Sequence, residues 1–148
     1  MKDSDFKNLH HQVGNLVIAT RGTEISQGYK PDITVTDSNA TLQYILECEQ
    51  KTDRKAFLGD VLKAQKHSEQ CNASPALIIV MREFKNTTVR QIADHIQNYV
   101  QWLNRRLNGG LALSRIAVMA DSEYLHSVRA QEILGSVQFM QRAVEVQK

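Results

Sequence analysis

Two short runs in the second half of the chain carry no polar side chain at all: Ala76-Leu77-Ile78-Ile79-Val80-Met81 and Ile116-Ala117-Val118-Met119-Ala120. Strand-length runs of this kind leave no face for water, so they predict strands covered on both sides. The segments around them predict the cover. Val89, Ile92, Ala93, Ile96, Tyr99, Val100, Leu103 and Leu107 recur along one stripe of a helix over 88–107, which Gly109-Gly110 stops. Asp53 is a plausible cap for a helix over about 54–69 that carries Ala56, Phe57, Val61, Leu62 and Ala64, despite Gly59 inside it, and Asn72–Pro75 breaks it. A last helix from about Ser122 carries Leu125, Val128, Leu134 and Val137. Apolar strands alternating with helices predict an α/β fold, a mixed central sheet with helices packed on both faces.

The first half has a different pattern. Phe6, Leu9, Val13, Leu16 and Val17 recur at three- and four-residue spacing and predict an amphipathic helix over roughly 3–20. Gly22 and Gly28 punctuate the chain, with a short strand expected at Thr23–Ser26. From Tyr29 the sequence turns to β-branched Ile33-Thr34-Val35-Thr36, then to the turn residues Asp37-Ser38-Asn39. Leu42–Gln50 alternates with period two, placing Leu42, Tyr44, Leu46 and Cys48 on one face and Ile45, Glu47, Glu49 and Lys51 on the other. The two strands read as a hairpin.

A two-residue turn at Asn39-Ala40 sets Asp32 opposite Glu47, with Glu49 on the neighbouring diagonal of the same face. Three carboxylates brought together raise one another's pKa and repel. A hard divalent cation such as Mg²⁺ or Mn²⁺ resolves that conflict with oxygen ligands of this type. Such an ion activates water and polarises a phosphate, and a nearby lysine adds positive charge. The plain alternative is a strand face whose charges simply meet water; Ile45 on the same face argues against it.

Pro31-Asp32 opening one strand, followed by Glu47-Cys48-Glu49-Gln50-Lys51 closing the next, resembles the PD-(D/E)XK motif of the restriction-endonuclease-like superfamily. The helix–hairpin–helix–strand order over residues 3–81 is similar to that family's core. The helix–strand–helix of 86–146 then reads as an extension within a single domain, 1–148. Two triplets fit the motif. Glu49-Gln50-Lys51 is the standard acid-x-Lys, whereas Glu47-Cys48-Glu49 is a variant in which Glu49 takes the place of lysine. The second is favoured, because the acid directly follows the apolar strand and Asp32 faces Glu47; the positive charge then falls to Lys51, or to Lys63 or Lys66.

The resemblance implies a restriction-endonuclease-like fold and a metal-dependent nuclease hydrolysing phosphodiester bonds, with DNA the expected substrate. It implies Asp32, Glu47, Glu49 and Lys51 as catalytic residues, the three acids as ligands of Mg²⁺ or Mn²⁺, and Arg54, Lys55, Lys63 and Lys66 as the hold on the phosphate backbone. A second reading is a nuclease-like fold that binds nucleic acid or protein without catalysis. A third is an interaction protein whose helix 88–107 pairs with another copy through Tyr99 and Trp102, and such a homodimer is compatible with the first.

Other classes fall away. The chain has 148 residues, 42% hydrophobic and 23% charged, which is globular composition, and 18 Lys and Arg against 16 Asp and Glu give only +2, short of a DNA-coating protein. Cys48 and Cys71 lack zinc spacing and are expected reduced. No apolar run approaches the ~18 residues of a membrane helix, so no membrane partner and a cytoplasmic location are expected. His10-His11 is expected at the surface or an edge, and His67, His95 and His126 are scattered singly. Ser114, Ser122 and Ser127 lack a nucleophile elbow, and no Lys-Thr or Lys-Ser follows Gly109-Gly110, so a phosphate loop is excluded.

Overall fold

Residues 1–148 are described by a computed structural model, in which the strands form one six-stranded sheet whose spatial order follows the chain. They are β1 Val17–Arg21, β2 Ile33–Thr36, β3 Leu42–Glu49, β4 Ala76–Met81, β5 Arg115–Ala120 and β6 Val144–Glu145. The β1–β2–β3 pairs are antiparallel, β3–β4–β5 are parallel and β5–β6 is antiparallel, so the sheet is mixed. Five helices accompany it: α1 Asp3–Lys7, α2 Arg54–Gln70, α3 Val89–Arg106, α4 Asp121–Arg129 and α5 Val137–Met140.

The two apolar runs are β4 and β5, and their burial on both faces is what splits the core in two. Leu77, Ile79, Ile116 and Val118 face one layer with Phe57 and Val61 of α2 and Ile92 and Ile96 of α3. Ile78, Val80, Ala117 and Met119 face the other with Phe6 of α1, Tyr124 of α4 and Phe139 of α5. Helices therefore cover both faces. The crossovers β3–α2–β4 and β4–α3–β5 step across the sheet in the same direction, and crossovers of one hand then lay both helices on the same side. Asp53 caps α2 by accepting from the Lys55 amide at 3.0 Å, and Thr88 with Gln91 forms a capping box on α3. No helix is long and apolar enough to cross a membrane. Both cysteines are free thiols.

Several expectations are corrected. The helix over 3–20 ends at Lys7, and Val17–Arg21 is instead an edge strand beside β2. Phe6, Leu9, Val13 and Leu16 do pack into one apolar layer, but the expected Val17 is exposed and Ile18 takes its place there, and Gly14 takes a positive φ of 62° that interrupts any helix. Thr23–Ser26 is not a strand; Ser26 and Tyr29 make only an isolated bridge. His11 is not at the surface: only 4% exposed, its Nδ1 lies 2.6 Å from the Tyr124 hydroxyl and its Nε2 lies 2.9 Å from the Phe6 carbonyl oxygen. The last helix stops at Arg129, leaving Leu134 buried from a loop and Val137 exposed at the start of α5. Tyr99, read on the apolar stripe of the helix over 88–107, is half exposed, and with Trp102, also half exposed, it borders a shallow apolar groove beside Leu62.

The hairpin reaches its expected register by another route. Asp37 closes a longer turn, its Oδ1 accepting from the Asn39 and Thr41 amides at 2.8 and 3.0 Å, with Ala40 at φ 62°. A register shift between Val35 and Thr36 then absorbs the extra residue. From there Thr34 pairs with Ile45 and Ile33 with Leu46, so Asp32 comes up level with Glu47.

Candidate acidic functional site

The carboxyl end of β3, the residues leading into β2 and the first half of α2 enclose an open cleft of about 460 Å³. Its walls carry Asp32, Glu47, Glu49 and Asp60, with Tyr29, Lys30, Lys51 and Lys63 around them. Alternation along β3 sends Leu46 and Cys48 into one apolar layer and turns Glu47 and Glu49 toward α2. Asp60 reaches the cleft from α2, where helical spacing sets it among Phe57, Val61 and Ala64.

Asp32 and Glu47 lock each other across the hairpin. The Asp32 amide donates to Glu47 Oε2 at 3.3 Å, and the Cys48 amide donates to Asp32 Oδ2 at 2.7 Å. The remaining oxygens have side-chain partners: the Tyr29 hydroxyl donates to Glu47 Oε1 at 2.9 Å, and Lys7 Nζ lies 3.3 Å from Asp32 Oδ1. Two acids are thus held in fixed orientation by charge-assisted bonds. Asp60 is different: 8% exposed, it leaves Oδ2 buried with no hydrogen-bond partner while its carboxyl abuts that of Glu49.

The four carboxyls share one electrostatic predicament. Burial, then the charge of Asp32, pushes Glu47 up to about 8 against the opposing bonds from Tyr29 and the Asp32 amide. Burial also raises Asp32, offset by the Cys48 amide and Lys7, and raises Glu49. Asp60 is raised by burial first and then by the facing charges of Glu47 and Glu49, with Lys63 pulling the other way. The Tyr29 hydroxyl is held firmly protonated, by burial and by Glu47. Each of the four carboxyls is therefore held toward its protonated form, and a bound cation would favour the ionised one.

Of the residues singled out from sequence, Asp32, Glu47, Glu49, Lys51 and Lys63 line this one cleft. Arg54, Lys55 and Lys66 are exposed but lie outside its lining. At about 100° per residue, Arg54 points roughly 180° away from Lys63 around the helix, so the basic segment is not a single patch on the cleft. Sequence reading passed over Asp60, Tyr29 and Lys7. Asp60 did leave a signal, an acid on the apolar stripe of a predicted helix; Lys7 and Tyr29 left none.

No three Asp, Glu, His or Cys side chains stand as a complete coordinating group. Mg²⁺ needs less than that, since it keeps several waters and is commonly held by one or two carboxylates together with substrate phosphate oxygens. An all-oxygen donor set with a partnerless buried carboxylate oxygen suits a hard divalent cation. Comparison with protein-family models, with curated proteins and with solved structures finds no match.

Proposed function

We propose that this protein is a divalent-metal-dependent nuclease of restriction-endonuclease-like fold that hydrolyses phosphodiester bonds, with DNA as its substrate. The observation that carries the reading is the reciprocal lock of Asp32 and Glu47 across the hairpin, presenting two oriented carboxyls beside Glu49 in a cleft rimmed by lysines. Asp32, Glu47 and Glu49 are the residues that hold Mg²⁺ or Mn²⁺. When bound, the ion supplies a water of lowered pKa and positive charge toward the scissile phosphate.

The chain's own groups do the rest. Tyr29 fixes the Glu47 carboxyl, while Lys7 and the Cys48 amide fix that of Asp32, so neither acid must reorganise when a phosphate arrives. Lys51 and Lys63, exposed at the rim, take the phosphate oxygens and draw the polyanion to an otherwise repelling acidic cleft.

The direct test is cleavage of single- and double-stranded DNA in Mg²⁺ and in Mn²⁺, wild type beside Asp32→Ala. Cleavage is expected from the wild type only. Equal inertness of both proteins on both substrates in both metals sinks the catalytic reading.

One observation favours a second reading, a nuclease-like fold that binds nucleic acid or protein without cutting. In the favoured triplet Glu49 stands where the motif carries lysine, and it faces another acid, Asp60. Filter binding of labelled DNA without turnover, insensitive to Mn²⁺ and to Glu47→Ala, is the outcome that selects it.

A further inference from the structure

The motif accounts for three acids, all on the hairpin. A fourth, Asp60, comes from α2 and belongs to no part of that pattern. On the core stripe of a helix, an acid is expected only where it is paired, because burying an uncompensated carboxylate is costly. Asp60 is 92% removed from solvent by its 8% exposure, yet Oδ2 has no donor. No backbone amide or lysine closes on it. Instead its carboxyl lies against Glu49 and lines the same cleft as Glu47.

The hairpin acids show the contrast. Both oxygens of Asp32 and both of Glu47 already receive a donor from the protein. Those bonds fix orientation and use part of each group's accepting capacity. The one buried carboxyl oxygen left without a donor is Asp60 Oδ2, on the α2 side of the cleft, where Asp60 meets Glu49. A cation entering this cleft finds its least-committed ligands there.

We infer that Asp60 of α2, paired with Glu49 of β3, is a ligand of the divalent cation, with waters completing the set, so that the ion bridges the hairpin and the following helix. This rests on the cation reading above and extends it to a residue outside the motif. The site is therefore built by two elements: the ion ties α2 to β3, and metal binding stiffens the packing of that helix against the sheet.

Calorimetric titration of the purified full chain with MnCl₂, without nucleic acid, tests it. Wild type is compared with Asp60→Ala, and with Asp60→Asn in case the alanine variant does not fold; circular dichroism and thermal unfolding without metal check folding. Loss of an outer-shell partner alone commonly costs about 10–100-fold in metal affinity, so loss of a ligand is expected to weaken binding by at least about tenfold, along with loss of the Mn²⁺-induced rise in Tm. Binding by the folded variant within about threefold of wild type overturns the inference and leaves the nuclease proposal standing. A wild type that binds no Mn²⁺ overturns both this inference and the cation reading. Mn²⁺ binding that depends on Asp60, in a protein that cuts nothing, supports the inference and removes only the nuclease proposal.

Discussion

Raising the pH from 6.5 to 8 in the absence of divalent metal is expected to destabilise the fold. The Glu47 carboxyl titrates near 8 in the folded chain against 4.5 as its ordinary value. Between those values the folded state holds a proton that the unfolded state has released, so stability is fully present below 4.5 and is lost as pH rises toward 8 and beyond. His11 and His67 have lowered folded pKa values, so most of their effect lies below the unfolded histidine value, and its tail above 6.5 opposes the Glu47 loss by about 0.4 kcal/mol for His11; Cys48, raised from 9.0 to about 12, acts at higher pH. Over 6.5 to 8, Glu47 alone accounts for about 1.6 kcal/mol at 1.36 kcal/mol per unit of proton linkage. That corresponds to a fall in Tm of about 3–6 °C for a domain of this size. Glu49 and Asp60, shifted the same way, add to it. Differential scanning calorimetry in EDTA, at both pH values, measures the slope. Glu47→Gln has one fewer acceptor for the Tyr29 hydroxyl and Asp32 amide and is less stable throughout, but its slope is expected to be shallower. Mg²⁺ is expected to flatten the wild-type slope as well, since an ion favours the ionised carboxylates. A wild type whose Tm is level or rises from pH 6.5 to 8 refutes the reasoning, as does an unchanged slope in Glu47→Gln.

Acid has the opposite origin. His11 titrates near 4 instead of 6.5 because it is buried, so stability present above 6.5 is lost as pH falls toward 4, by up to about 3 kcal/mol; urea unfolding at pH 7 and 4.5, wild type beside His11→Gln, separates this loss from the opposing gain of the cleft carboxyls, and an equal pH response of the two proteins contradicts it. Tyr29→Phe removes the donor to Glu47 Oε1 and is expected to lower stability by about 1 kcal/mol at pH 7 in chemical denaturation. In DNA binding followed by anisotropy, Lys51→Ala and Lys63→Ala are each expected to reduce the slope of log K against log salt by about 0.9. Arg54→Ala, turned away from the cleft, is expected to leave that slope unchanged, and a larger effect at Arg54 than at Lys63 contradicts the assigned path.

Much of this was legible in the sequence, and for a common reason. The runs that became β4 and β5, the stripe that became α3 and the capped segment that became α2 are patterns among near neighbours, which periodicity reports directly. Alternation in β3 likewise fixed which face Glu47 and Glu49 share, because a slip of one residue would have driven Leu46 and Ile33 out of their apolar layer. Where burial and helix share a spacing, the pattern misled: Phe6 is buried and Leu9, Val13 and Leu16 are half-buried against the same layer, but across a broken segment and not along one helix. His11 was misread for a different reason: its partners Phe6 and Tyr124 include one more than a hundred residues away.

The amino-acid order by itself thus determined the strands, the long helices and the pairing of two acids on one sheet face, all properties of segments a few residues long. Only the tertiary structure decided which groups surround those acids. Lys7 comes from α1, Tyr29 from the loop before β2 and Asp60 from α2, and packing alone, by stacking α2 on one face of the sheet, brings Lys63 to the cleft while turning Arg54 away. Convergence of this kind depends on how separate elements are buried against one another, and no local pattern encodes it.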